Sequence, residues 1–242
     1  MIQSKNRAKL KAWSVHLLTA TGAIVGFLAL EDAFAGRTYD AMLWLLLAVL
    51  IDGIDGTFAR WFKVKDVLPN FDGKMIDFVV DFLNFVITPT VIFYHEKMVS
   101  EVFLFPLVAG ILYASLYHYG NKNQLTADFR FKGFPAFWNL VIYYLLLLQL
   151  GQTVNLIVII VFIALHFLPV PFLYLSRMRR NIILSIIALA GVVVFNTIAL
   201  LQFPMVSVES KISMVIPLFI LFILGMVNKE IIPQIALKKS RK

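Results

Sequence analysis

Two aspartates stand three residues apart at the end of an apolar stretch, in Asp52-Gly53-Ile54-Asp55-Gly56-Thr57-Phe58-Ala59-Arg60. Two more open the next one, in Gly73-Lys74-Met75-Ile76-Asp77-Phe78-Val79-Val80-Asp81. On a helix turning by about 100° per residue, Asp52, Asp55 and Ala59 fall within about 60° of one another, and Gly73, Asp77 and Asp81 within about 80°. A charged residue in a membrane span costs about 2.5–3.5 kcal/mol even on the lenient insertion scale. Four unpaired carboxylates placed together also repel one another. Divalent cations neutralise such a cluster compactly, and hard oxygen ligands suit Mg²⁺ or Mn²⁺. Two such ions about 3.5–4 Å apart clamp the attacking and leaving oxygens of phosphoryl chemistry. Two other readings stay open at this point: helix-end aspartates facing headgroup water, and a path for protons or divalent cations.

The residues around the aspartates carry further signals. Gly56 and Gly73 lie on or beside the acidic stripes, where a missing side chain leaves room for a ligand against the backbone. Arg60 follows at the helix end, and its forked guanidinium suits a phosphate or anchors the helix at the membrane surface. Gly22-x-x-x-Gly26 in the first apolar stretch reads as a close helix–helix contact. His16 and His118 read as interfacial rather than catalytic.

The elements that must position these groups are membrane helices. Of 242 residues, 60% are hydrophobic and 15% charged, against about 45–50% and about 25% in soluble domains. Cysteine is absent, which excludes disulfides and thiolate metal sites. Eight segments approach the roughly 20 apolar residues a bilayer requires, at 15–35, 40–59, 74–94, 101–119, 135–150, 155–175, 181–202 and 212–228. The basic start followed by an apolar stretch and Ala33-Phe34-Ala35 has the outline of a signal peptide. Glu31 and Asp32 just before the cut argue for a retained first helix. Pro89, Pro106, Pro169, Pro171 and Pro217 fall in apolar runs and are expected as kinks.

With eight spans, all 22 Lys and Arg except Arg37, Lys97 and Lys211 fall on one side. The positive-inside rule makes that side cytoplasmic. The expectation is therefore an all-α, polytopic membrane helix bundle of eight transmembrane helices, both termini cytoplasmic, forming one domain over 1–242. The net charge of +8 is loop charge that sets orientation, not a nucleic-acid surface. The inner loops 60–73 and 120–134 are longer and more varied than the outer ones, which puts the working face inside.

Asp52-x-x-Asp55-Gly56-x-x-Ala59-Arg60, then Gly73-x-x-x-Asp77-x-x-x-Asp81, resembles the signature of the CDP-alcohol phosphotransferases, membrane enzymes of phospholipid synthesis. Twelve residues separate Arg60 from Gly73, more than is usual in the family. "AWSVHLLTATGAIVG" and "DFRFKGFPAFWN" resemble the branch whose acceptor is free choline. The resemblance implies that Asp52, Asp55, Asp77 and Asp81 bind two divalent cations, Mn²⁺ or Mg²⁺. It implies that Gly56, Ala59 and Gly73 shape a cytidine nucleotide pocket and that Arg60 assists with phosphate. It makes Asp81 the general base. The implied reaction transfers the phosphatidyl group of CDP-diacylglycerol to choline by attack on the β-phosphorus, releasing CMP. A bacterial inner (cytoplasmic) membrane location, an inner-face active site opening sideways to membrane lipid, and a homodimer are also implied.

The acceptor pocket is less constrained. A quaternary ammonium prefers aromatic faces. The inner ends of the fourth and fifth spans offer Tyr117, Tyr119, Phe134, Phe137 and Trp138, with Asn121, Lys122 and Asn139 as polar partners; Tyr117, Asn121 and Trp138 head the choline candidates. Arg177, Arg179 and Arg180 mark the inner face. Serine is the alternative acceptor, and a divalent-cation transporter the reading from another class. Four carboxylates near one face argue against the transporter, which favours broken helices in paired positions across the membrane.

Overall fold

The computed structural model describes residues 2–121, 131–172 and 182–227. Lys122, Arg130, Arg177, Arg179, Arg180 and the basic residues from Lys229 onward lie outside the described residues. The described chain is almost entirely helical: α1 (Ile2–Phe34), α2 (Thr38–Trp61), α3 (Val64–Val67), α4 (Gly73–Asp81), α5 (Thr88–His95), α6 (Glu101–Gly120), α7 (Trp138–Leu148), α8 (Gln152–Leu165), α9 (Ile182–Leu201) and α10 (Val208–Val227). A π-helical segment, Phe82–Ile87, joins α4 to α5 without a break. Among the described residues, five helices are long and apolar enough to cross a membrane, and α7 and α8 are shorter apolar helices.

Two expectations are corrected. The first helix begins at Ile2, well before residue 15, so its basic stretch is an extension of the span. Pro169 and Pro171 do not kink a span: α8 ends at Leu165 and both lie beyond it. Proline removes a donor and pushes the preceding residue out of the α region, so two of them keep the helix from running on to 175. Pro171 instead enters a two-residue antiparallel ribbon, Phe131–Lys132 (β1) with Pro171–Phe172 (β2). Pro106 and Pro217 do lie inside helices. Pro89 sits at the start of α5, just after the π segment. In a regular helix its ring would press on the Phe85 carbonyl, and a widened turn accommodates this.

The chain divides into two compact units. The first holds residues up to 115 with 136–146 and 150–159. Within it α1 is the common wall, packed along α2 and against α3, α4, the π segment and α5. One side of α1 carries Ala12, Val15, Thr19, Gly22 and Gly26 inward; Leu10, Leu17, Ile24 and Phe27 are exposed. Small residues inside and large apolar ones outside is the arrangement of a helix covered by lipid. Gly26 permits the closest approach: a Cβ there would run into the Asn84 amide and come 2.8 Å from Leu83 Cδ2. Asn84 Nδ2 donates to the Gly22 carbonyl at 3.1 Å, tying the π segment to α1. At the other end of α1, Asp32 accepts from Arg37 Nε at 2.6 Å and Trp44 Nε1 at 2.9 Å.

The second unit holds 116–135, 147–149 and residues from 160 on. Here α9 and α10 pack on each other. The amide of Phe134 donates to the Leu165 carbonyl at 3.0 Å and that of Gly133 to Val170 at 2.8 Å, folding 131–135 onto the end of α8. Exposed apolar side chains such as Ile183, Ile187, Ile216 and Phe219 give this unit a surface suited to lipid.

Candidate active site

All four aspartates belong to the first unit. Asp52 and Asp55 close the C-terminal part of α2; Asp77 and Asp81 follow from the start of α4. The α4 start is fixed by Asp72, whose side chain accepts from the backbone N–H groups of Lys74 and Met75. That N-cap is what sets the phase of Asp77 and Asp81. One carboxylate oxygen each from Asp52, Asp55 and Asp77 lies within 4.8 Å of the other two. Asp81, one turn further along, has Asp52, Asp77 and Asp55 as like-charged neighbours. Asp55 is the most enclosed, 3% exposed. The acidic faces of the two helices thus meet.

The contrast with Asp32 is informative. That carboxylate has an arginine and an indole N–H on its two oxygens. Among the described residues no ion pair reaches Asp52, Asp55, Asp77 or Asp81. Lys74 acts on Asp77 only electrostatically, and Thr19 lies within hydrogen-bonding reach of Asp55. Clustered carboxylates lacking a cationic partner, with hard oxygen donors converging, fit a divalent cation.

The other expected site residues fall around this cluster. Gly56 follows Asp55, and a Cβ on it would meet only Arg60 Nη1, at 3.5 Å. Arg60 is exposed and donates from Nη2 to Thr57 Oγ1 at 3.2 Å. Ala59 is half-buried against the cluster of Ala12, Val15 and Val64. Gly73 lies under the His16 ring: a Cβ there would run into Cε1 and stand 2.9 Å from Nδ1. Only glycine lets α1 and α4 approach this closely.

The choline candidates are divided between the two units. Trp138 is 0% exposed, with Nε1 donating to Ser115 Oγ at 2.9 Å. Tyr117 and Asn121 belong to the second unit, where Tyr117 packs on Phe167 with centroids 4.9 Å apart. His118 is buried there beside His166 at 6.2 Å.

Two residues were not singled out for the site by type or spacing. Thr19 and His16 both lie on the inward side of α1, and both reach the acidic helices. The signal was available in the period of that helix, Ala12, Val15, His16 and Thr19 falling at i, i+3, i+4 and i+7 on one face.

Residues 14–170, more than half of the chain, match the CDP-alcohol phosphatidyltransferase family. The chain belongs to that family. A relative from Pseudomonas aeruginosa named phosphatidylcholine synthase is 41% identical over 178 residues, 74% of this chain and 75% of its own. One of the same name from Rhizobium johnstonii is 38% identical over 173 residues, 72% of each chain. A third, from Borreliella burgdorferi, is 35% identical over 177 residues, 73% of this chain and 75% of its own. No solved structure matches the chain.

Proposed function

We propose that this protein makes phosphatidylcholine by transferring the phosphatidyl group of CDP-diacylglycerol to choline. The observation that carries the reading is the convergence of Asp52, Asp55 and Asp77 oxygens within 4.8 Å in a chain of this family. The relatives' name, phosphatidylcholine synthase, supports the acceptor. Asp52, Asp55, Asp77 and Asp81 would hold two divalent cations, Mn²⁺ or Mg²⁺. When bound, these supply charge neutralisation for the diphosphate and for the departing CMP.

The chain's own residues do the rest. Gly56, Ala59 and Gly73 would shape the cytidine nucleotide pocket, Gly73 by letting His16 of α1 lie against the start of α4. Arg60, exposed at the end of α2, reaches for a phosphate of the donor. Asp81 takes the proton of the choline hydroxyl as its oxygen bonds to the β-phosphorus. The bond from that phosphorus to the CMP oxygen breaks, and CMP leaves with the electron pair. Asp81 stands one turn beyond Asp77, outside the three carboxylates that converge within 4.8 Å, which supports it as the base. For the choline itself, Tyr117, Asn121 and Trp138 remain candidates, Trp138 the weakest because its indole is covered.

The whole chain, 1–242, works as a single membrane domain of eight spans with both termini in the cytoplasm. The site then faces the inner leaflet of a bacterial cytoplasmic membrane, and the acyl chains of the donor stay in lipid. The distribution of Lys and Arg supports that orientation. A homodimer is the expected assembly.

The test is CMP release from CDP-diacylglycerol by purified protein, with choline, serine, inositol and glycerol phosphate supplied in turn. Release with choline alone is expected, lost in EDTA and restored by Mn²⁺ or Mg²⁺. Release with serine instead would replace the acceptor. No release with any of them, together with cation flux into vesicles, would replace the enzyme by a transporter.

A further inference from the structure

Part of the twelve-residue stretch between Arg60 and Gly73 folds back onto α1, while Trp61, Lys63, Lys65, Asp66 and residues 69–72 are exposed. Val64 of α3 is buried with Ala12 and Val15, and Phe58, Ala59, Phe62, Val67 and Leu68 pack around them. Lys11 Nζ stands over the Phe62 ring at 5.4 Å. The segment is thereby pinned, and Phe71 arrives against α1 two residues before α4 begins.

Phe71 joins two rings of α1. Its centroid is 4.8 Å from Trp13 and 4.6 Å from His16, and Trp13 and His16 are 5.9 Å apart. Trp13 is 43% exposed and Phe71 36%, so the patch keeps open aromatic surface. His16 is 8% exposed, and its Nε2 is buried with no hydrogen-bond partner among the described residues. The same His16 ring covers Gly73, one turn before Asp77. The His16 ring therefore lies between these aromatic faces and the helix that carries Asp77 and Asp81.

From this geometry we infer that Trp13, Phe71 and His16 form the choline subsite, a role beyond those assigned to Tyr117, Asn121 and Trp138. The inference rests on the reaction proposed above. The trimethylammonium group lies on the Trp13 and Phe71 faces, which attract a cation through the ring quadrupole, tryptophan most strongly. His16 Nε2 hydrogen-bonds the choline hydroxyl and points it toward the acidic cluster; His16 is a positioning residue. Choline carries one hydrogen-bonding group and one soft cation, and the patch offers one partner for each.

Steady-state kinetics of the full-length protein with Mn²⁺, CDP-diacylglycerol and choline tests this. Tetramethylammonium, which has the cation but no hydroxyl, serves as a competing probe. Trp13→Leu and Phe71→Leu should each raise the KM for choline and the Ki for tetramethylammonium together, by about five- to thirty-fold. The KM for CDP-diacylglycerol should stay unchanged. Trp13→Phe, which keeps a ring face, should stay close to wild type and guards against a folding artefact. His16→Leu should raise the KM for choline and leave the Ki for tetramethylammonium where it was. If the Leu variants keep the wild-type KM for choline, the rings are headgroup anchors and the inference fails while the reaction stands. A general loss that raises the KM for CDP-diacylglycerol equally would also overturn it. A wild-type protein inert toward choline would instead sink the reaction itself.

Discussion

Asp81 and Gly73 can be tested one atom at a time. Asp81→Asn keeps the shape of the side chain and removes the proton acceptor. We expect kcat to fall by about 10²–10⁴-fold with little change in thermal unfolding, measured by CMP release and by melting of the purified protein. Full activity in that variant would place the base elsewhere. Gly73→Ala asks whether His16 must lie on bare backbone. A Cβ there overlaps the His16 ring, and overpacking of this kind costs about 1–3 kcal/mol. The double variant Gly73→Ala with His16→Ala should recover most of the lost thermal stability, since the two residues share one space. The aspartates were legible in the sequence because their cost in a span demands a reason and their spacing fixes a face. His16 was not, because a lone histidine near a membrane surface has an ordinary explanation. Its contact with Gly73 and its buried Nε2, without a partner among the described residues, set it apart.

At the scale of elements, the helices were readable from hydropathy, and the acidic faces of the second and third spans were expected to meet, as Asp52, Asp55 and Asp77 do. What hydropathy did not give is the role of α1 in holding them. The short α3 was also hidden: four residues are too few for a period to declare itself. Its packing makes a prediction. Val64→Asp places a charge among Ala12, Val15 and Phe62. Burying a charge without a partner there should destabilise the protein by several kcal/mol or expel the segment from α1. Limited proteolysis should then cut within 62–72, and the KM for choline should rise with the loss of Phe71 from its place. Resistance to proteolysis equal to wild type would show that the loop does not depend on this contact. The two prolines after α8 were misread for a related reason: apolar neighbours made 155–175 look like one span, while α8 ends at Leu165, before both, and neither proline can carry a helix onward.

For the molecule as a whole, the arrangement in the bilayer is open to a direct test. Alkaline phosphatase is active only outside the cytoplasm, and green fluorescent protein fluoresces well only within it. A phosphatase fused at Gly36 should be active, and a fluorescent protein fused after Lys242 should be bright. The reverse pattern would invert the proposed orientation. The widened turn between Asp81 and Thr88 bears on how such a protein meets membranes of different depth. It is a fastened joint partway along one rod, since Asn84 is buried there and holds the Gly22 carbonyl of α1. Below it stand Asp77 and Asp81; beyond it Thr88, Pro89 and Thr90 are buried in their own packing. Changes in tilt that fit the distal half to a thicker or thinner bilayer are therefore transmitted to α1, and a lineage that moves to new lipids must keep this joint to keep the chemistry that makes them.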